Sequence, residues 1–215
     1  FANCQSLTSL EIPKIRTSQL IVFDKIFLNC KSLQSLDLSN WDTAQSVTFE
    51  YMFSNCTSLY NIKFSSEFDT SYAKYFRSMF DGCESLTSLD ISGFDTGVAT
   101  DISYMFRNCK KLDKIDIPKA FKTSSVTNLG GMFAGCELLT SLNLETFTTN
   151  KVTNMTKMFY GDSELRYIDM SNFDTSSVKS FDQMFEGTTN LTLKIDLNKC
   201  SEIKNVIPKD VNYDE

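Results

Sequence analysis

Cysteines are the residues of this 215-residue chain with the widest chemical repertoire, because thiols form disulfides, bind metals and undergo redox reactions. Six of the seven recur at intervals of 26, 26, 27, 26 and 27 residues, each three residues after a phenylalanine. They are Cys4, Cys30, Cys56, Cys83, Cys109 and Cys136. Equivalent residues of a stacked repeat lie in a row, which suits neither a tetrahedral metal site nor well-aimed disulfides. The spacing predicts a ladder of buried free thiols, with Cys200, outside the register, as the candidate for an exposed one.

The sequence lacks the residues and motifs that most catalytic sites require. The chain contains no histidine, which excludes Ser-His-Asp and Cys-His nucleophile systems and every His-ligated metal site. It has no Gly-rich phosphate loop and no nucleophile with a base nearby in sequence. A net charge of -6 argues against nucleic-acid or anionic-membrane binding. The sequence therefore predicts a non-enzymatic protein with no catalytic residues, cofactor or metal site, and no run of residues is apolar enough to span a bilayer.

The phenylalanines extend the same period along almost the whole chain. Eight units begin at residues 1, 27, 53, 80, 106, 133, 159 and 185. A fixed period in this range is typical of a solenoid, in which stacked units share a core that none could form alone. We expect a solenoid domain over 1–198 and a C-terminal cap or linker start over 199–215. The expected core ladder comprises Cys30, Cys56, Cys83, Cys109 and Cys136 with Phe27, Phe53, Phe80, Phe106, Phe133, Phe159 and Phe185.

Each unit contains two apolar patterns. The alternation in Leu86–Ile91 predicts a short strand with one buried face. The apolar residues of Val126–Cys136 are spaced i, i+3, i+6, i+7 and i+10, which predicts one face of a short helix. The polar corner Phe94–Thr96 suits a helix start, and Gly135 suits a left-handed helix end. The sequence therefore predicts an α/β solenoid with a parallel sheet on its concave face and short helices on its convex face.

The segments MFDGCESLTSLDISGFDT (79–96) and MFYGDSELRYIDMSNFDTSSV (158–178) carry a family resemblance. The repeated motif resembles the BspA-like leucine-rich repeats, in the Phe-rich subgroup of surface proteins of mycoplasmas and Gram-positive bacteria. The resemblance extends from Phe1 to about Leu197. It implies a leucine-rich-repeat solenoid without enzymatic activity, displayed on a cell surface or secreted, with its signal sequence and anchor outside this chain. It implies no particular ligand.

The candidate ligand-binding surface is the column of residues between the last two apolar positions of each strand. With one tyrosine beside it, the column comprises Glu11, Asp37, Lys63, Asp90, Asp116, Asn143, Tyr167, Asp169 and Asp196. Stacking predicts the like-charge neighbours Glu11/Asp37, Asp90/Asp116 and Asp169/Asp196. The functional interpretation is an acidic strip for a basic peptide surface or a divalent cation, with Tyr167 as an aromatic anchor. The alternative is a solvated face that follows the repeat consensus.

Three functions fit this pattern. The first is a surface-displayed adhesion module whose concave face binds a host or matrix protein or glycan, since contact area grows with repeat number. The second is a structural spacer in a longer surface protein, and the third is an intracellular interaction scaffold. End-to-end self-association is also expected, because the chain begins inside a unit and would expose an apolar end and a strand edge.

Overall fold

A parallel β-solenoid emerges from the computed structural model, which describes residues 1–12, 17–208 and 211–214. One side carries two parallel sheets, β1–β2 and β3–β4–β5–β6. The strands are β1 (Ser35–Leu38), β2 (Asn61–Phe64), β3 (Ser141–Asn143), β4 (Tyr167–Asp169), β5 (Thr192–Lys194) and β6 (Asn212–Asp214). Their burial alternates in β1, β2 and β3, as the period-two sequence pattern predicts.

A second ladder runs along another side of the solenoid. Isolated parallel bridges join Val22, Thr48, Tyr75, Asp101, Asn128, Asn154 and Ser180 in order, each one repeat from the next. This ladder defines about six turns of the coil. The count of eight units remains a count made from the sequence.

The prediction of short helices on the convex face is wrong. Within the described residues the helical assignment is a single 3₁₀ helix, Ser201–Asn205. The segment Phe49–Cys56, at the unit boundary, instead forms successive turns closed by bonds from an N–H to the carbonyl three residues earlier. Alternate amides donate to the next repeat, as Phe53 N does to Met79 O at 2.9 Å. Because the lateral bonds use these amides, no i to i−4 ladder can form, and the apolar spacing of three reflects consecutive turns.

Left-handed backbone lies where the sequence predicts it, but it serves turns and not helix ends. The residue before the cysteine position has φ between 56° and 88° at Asn29, Asn55, Gly82, Asn108, Gly135, Gly161 and Gly187. Glycine and asparagine tolerate this region best, which explains their use. A second left-handed column, four residues earlier, includes Tyr51 and Tyr104 with φ of 56° and 58°. Its side chains gave no sequence signal for that conformation.

Phenylalanine rings form the centre of the core. Rings at consecutive unit starts, from Phe1 to Phe185, stack with centroids 5.4 to 6.1 Å apart. All of these rings except Phe1 are buried. A parallel stack, Phe121, Phe147 and Phe173, lies under the corner. The phenylalanine excess of the sequence is therefore accounted for by core packing.

The Asp-Thr corner links neighbouring turns. The buried Thr70 donates its hydroxyl to Asp95 O at 2.8 Å and accepts Asp95 N at 2.8 Å. Asp95 in turn accepts Gly97 N at 2.8 Å. The corner aspartates therefore cap tight turns, a role related to the predicted helix capping but without a helix.

The C-terminal segment continues the sheet. Strand β6 pairs with β5, and Ile203 of the 3₁₀ helix is buried. Cys200 is also buried, so its expected exposure is wrong, and its thiol donates to Phe173 O at 3.3 Å. Within 199–215, residues 209, 210 and 215 lie outside the described part of the chain. The division at residue 198 remains a sequence-based prediction.

Candidate functional site

The candidate column lies on the sheet side of the solenoid, with unequal exposure. Exposed members are Glu11, Asp37, Lys63, Asp90, Asp116 and Asn143. Tyr167 and Asp196 are half-buried, and Asp169 is buried with 5% of its surface exposed. A partner approaching this side would therefore meet the first six residues more readily than the last three.

Strand register corrects the predicted charge pattern. Asp169 lies opposite Lys194, not Asp196, and their side chains form a 2.9 Å ion pair. Asp37 likewise lies opposite Lys63 at 3.4 Å. The predicted like-charge pair Asp169/Asp196 is wrong because the last unit is shorter and shifts its register. Partial burial acts to raise the pKa of Asp169, but hydrogen bonds from Ser171 and Lys194 bring it below its ordinary value.

Most side chains of this column cap a turn. Each accepts the backbone N–H two residues later at 2.8 to 3.0 Å, in the pairs Asp37/Ser39, Asp90/Ser92, Asn143/Glu145, Asp169/Ser171 and Asp196/Asn198. The hydrogen bonds from Ser39 and Ser92 lower the pKa values of Asp37 and Asp90. Asn143 shows that the turn needs an oxygen acceptor and not a charge. The column thus has a structural explanation that is independent of any ligand.

The sheet is interrupted between β2 and β3. The equivalent segments Ser88–Ile91 and Lys114–Ile117 are not strands, and among the described residues no backbone bond joins either of them to a neighbouring turn. Leu89 and Ile115 remain buried, so the core is continuous beneath the interruption. The predicted neighbours Asp90 and Asp116 are therefore not joined by a ladder, nor are Glu11 and Asp37. Among the described residues, the backbone donors and acceptors of these segments thus have no ladder partners in the neighbouring turns.

A cleft of about 720 Å³ lies beside this interruption. Phe64, Phe68 and Phe94 line it. The lining also contains the charged side chains of Lys63, Glu67, Asp69 and Asp90. The rings of Phe64 and Phe94 are 5.3 Å apart. Asp90 has no ion-pair partner within the described chain, whereas Asp116 pairs with Lys114 at 3.0 Å. The rest of the lining is mostly polar, which is more typical of a protein-contact surface than of a small-molecule site.

The cleft phenylalanines were not singled out by the sequence. Phe68 and Phe94 belong to the corner plug of the repeat and are buried, so they read as core residues. Phe64 is only half-buried and replaces the leucine or isoleucine usual at that strand position. That replacement is the one sequence signal that could have indicated an aromatic surface here.

The buried thiols of the core ladder are poorly suited to reaction, whereas Cys4, predicted to belong to the same buried row, is exposed. Cys30, Cys56, Cys83, Cys109 and Cys136 are buried, Cys4 is exposed, and all the cysteines are free. The Cys56 thiol donates to Phe27 O at 3.1 Å, and burial raises its pKa to about 12. A thiol that stays protonated is a weak nucleophile and a weak metal ligand. Within the described ranges no group of three or more metal-ligating side chains occurs.

One family description accounts for most of the chain. The family described as "Mycoplasma protein of unknown function, DUF285" matches residues 1–85, 23–139 and 100–208. The chain belongs to this family. In the described part of this DUF285 member, no helix is long and apolar enough to cross a membrane. No curated protein gives a significant sequence match.

Solved structures similar to this DUF285 member include two leucine-rich-repeat proteins and one protein–RNA complex. A leucine rich cell surface protein from Faecalibacterium prausnitzii A2-165 is 16% identical over 89% of this chain and 63% of its own, with a TM-score of 0.33. A leucine-rich repeat protein from Bacteroides ovatus ATCC 8483 is 18% identical over 91% and 62%, with a TM-score of 0.41. The TLR13-ssRNA13 complex gives 19% identity over 83% and 27%, with a TM-score of 0.38. The chain thus spans less than two thirds of each of these proteins, and the likeness concerns the fold alone.

Proposed function

We propose that this chain is a non-enzymatic interaction module that binds a basic protein segment on its sheet side, between β2 and β3. The observation that carries the proposal is the cleft beside the interrupted sheet, with the carboxylates of Glu67, Asp69 and Asp90 in its lining. A surface or extracellular location is part of the proposal and rests on the resemblance to BspA-like repeats.

Three features of the interruption fit a protein segment. Backbone groups of Ser88–Ile91 that have no ladder partner can bond to the main chain of a partner. Phe64, half-buried in the cleft, offers apolar contact to a partner side chain. The unpaired Asp90 and the net charge of -6 favour a basic partner and faster encounter with it.

A structural spacer is the second candidate, and one observation favours it. The turn-capping bonds explain the acidic column without any ligand, so its regularity alone is no sign of binding. The two candidates differ in whether the charge of these carboxylates matters once the turn-capping oxygen is preserved.

The double variant Asp90→Asn/Asp116→Asn separates the two candidates. Asparagine at residue 90 keeps an oxygen for Ser92 N while removing the charge, so the turn should persist. We expect affinity for a basic partner to fall about tenfold with little change in thermal stability. Binding would be measured by biolayer interferometry against fibronectin, laminin, collagen and a lysine-rich peptide, with and without calcium.

The matched control is Asp95→Asn/Asp174→Asn, which removes the same charge from corner residues that cap turns in the same way and do not line the cleft. Binding that falls equally in both double variants would show a general charge effect and contradict the assignment to the sheet side. No binding by the native chain to any of these partners would leave the spacer as the better explanation. Binding that requires calcium would instead support the cation interpretation of the carboxylates.

A further inference from the structure

A notch interrupts the turn side of the solenoid at the unit that contains Phe133. The outward positions of this turn are Gly131, Ala134 and Gly135, where the preceding turn has Tyr104, Arg107 and Asn108. The following turn has Lys157, Tyr160 and Gly161 at the same positions. The result is a cavity of about 570 Å³, named here the Tyr104–Tyr160 notch, with large side chains on both sides of a floor of small residues.

Glycine is required in the floor. Gly131 has φ of +60°, and a Cβ there would clash with the ring of Tyr104, which lies against it. Gly135 has φ of +76°, and a Cβ there would come within 2.6 Å of the Asn108 side-chain oxygen. The small residues therefore let the side chains of the preceding turn settle beside the floor.

One wall is held by an ion pair. Arg107 donates Nε and Nη2 to the two carboxylate oxygens of the buried Asp81, at 2.9 and 2.6 Å. Its guanidinium lies 4.8 Å from the centroid of the Tyr104 ring. A bidentate pair with a buried carboxylate fixes the side chain, so this wall is preorganised.

The opposite wall is more exposed and polar at its edge. Tyr160 is 38% exposed, and the Lys157 ammonium lies 5.2 Å from its ring centroid. Lys157 has no carboxylate within ion-pair distance in the described part of the chain. Glu137 and Ser163 complete the lining, which thus offers hydrogen-bond donors and acceptors beside an aromatic surface.

The height of the notch suits one ring. Its walls belong to turns two repeats apart, and the core rings beneath them, Phe106/Phe133 and Phe133/Phe159, are 5.5 and 6.1 Å apart. Two such steps leave space for a single ring between the wall side chains. The volume also falls in the range of small-molecule sites.

We propose that the Tyr104–Tyr160 notch binds one hexopyranose ring of a glycan. A pyranose has an apolar face of C–H groups, which can pack on Tyr160, and a rim of hydroxyls. Lys157 and Asn108 can donate to those hydroxyls, and Glu137 can accept from them. A purely apolar ligand would leave these groups without partners on burial, which disfavours it. This site is separate from the sheet side and does not depend on the protein-binding proposal.

The test uses the full chain and the methyl glycosides of glucose, galactose, mannose and N-acetylglucosamine. Binding would be detected by saturation-transfer difference NMR and titrated by chemical shift. We expect at least one glycoside to bind with millimolar affinity, and Ala134→Leu to weaken it at least tenfold. Large residues occupy this position in neighbouring turns, so the introduced leucine side chain should fill the notch without unfolding the chain, which thermal melting would verify.

Two further variants make the result specific. Tyr160→Ala should weaken glycoside binding like Ala134→Leu, whereas Glu186→Leu, at the same repeat position two turns from Ala134, should leave it unchanged. Asp90→Asn/Asp116→Asn should also leave it unchanged, so the two proposals can fail separately. The proposal is overturned if none of the four glycosides binds, or if the bound glycoside is indifferent to Ala134→Leu.

Discussion

Replacing Phe106 by alanine is expected to lower the free energy of unfolding by about 3–5 kcal/mol, which is typical for a fully buried phenylalanine. The ring has no exposed surface and stacks on Phe80 and Phe133 with centroids 5.7 and 5.5 Å apart. Its removal leaves a cavity between two turns that are fixed by their own ladders, so collapse around it is restricted. Urea unfolding monitored by circular dichroism measures the change.

The control for this prediction is Tyr72→Ala. Tyr72 is 68% exposed, so its truncation should change the free energy of unfolding by no more than about 0.5 kcal/mol. Equal effects of the two substitutions would contradict the stacked phenylalanine core.

Replacing Asp162 by cysteine is expected to stabilise the chain by about 1–3 kcal/mol at neutral pH, the cost of leaving a buried polar group unsatisfied. Asp162 occupies the cysteine position of its unit and is fully buried. One carboxylate oxygen accepts Cys136 N at 2.9 Å, but the other has no partner. Cysteine at this position in other units donates to a phenylalanine carbonyl, as Cys136 does to Phe106 at 3.1 Å. The substitution therefore removes the orphan oxygen and restores that bond.

The pH dependence of stability gives an independent measure of the same group. Burial raises the pKa of Asp162 well above its ordinary value of 3.8, although the hydrogen bond from Cys136 N opposes the rise. The folded state then holds its proton more tightly than the unfolded state. The resulting stabilisation is complete below the ordinary value and is lost as the pH rises through the folded-state pKa.

The Asp162→Asn variant tests that sign, because asparagine keeps the acceptor oxygen and cannot titrate. Unfolding free energies of both proteins would be compared between about pH 4 and pH 8, the range above the ordinary carboxyl value. We expect the native chain to lose stability relative to the variant as the pH rises. A constant difference across this range would show that Asp162 does not titrate differently on folding.

Much of the fold was accessible from the sequence because each turn must place the same residue types in the same core. The period predicted stacking, and the predicted strand alternation is found in Ser35–Leu38 and Asn61–Phe64. In the example unit, however, Ser88–Ile91 forms no strand. The convex helices were wrong because an apolar residue every third position fits consecutive turns as well as one helix face. Only the lateral bond of Phe53 N to Met79 O distinguishes the two, and a sequence does not display it.

The candidate site could be predicted less completely from the sequence than the fold. Its column was identified, but the last unit slipped in register and placed Lys194, not Asp196, beside Asp169. The interruption at Ser88–Ile91 leaves no mark in the sequence, since Leu89 and Ile91 preserve the strand pattern. The capping role of the aspartates depends on backbone geometry two residues later, which residue types alone do not fix.

Amide hydrogen exchange tests most directly the claim that the sheet side is open between β2 and β3, on which the proposed function rests. Amides that donate across turns, such as Phe106 N to Met132 O and Phe133 N to Met158 O, should exchange slowly. Amides of Ser88–Ile91 and Lys114–Ile117 should exchange faster than those at the equivalent positions of β4, although their apolar side chains are equally buried. Equal protection of these segments and β4 would mean a closed sheet, and would contradict the proposed binding site.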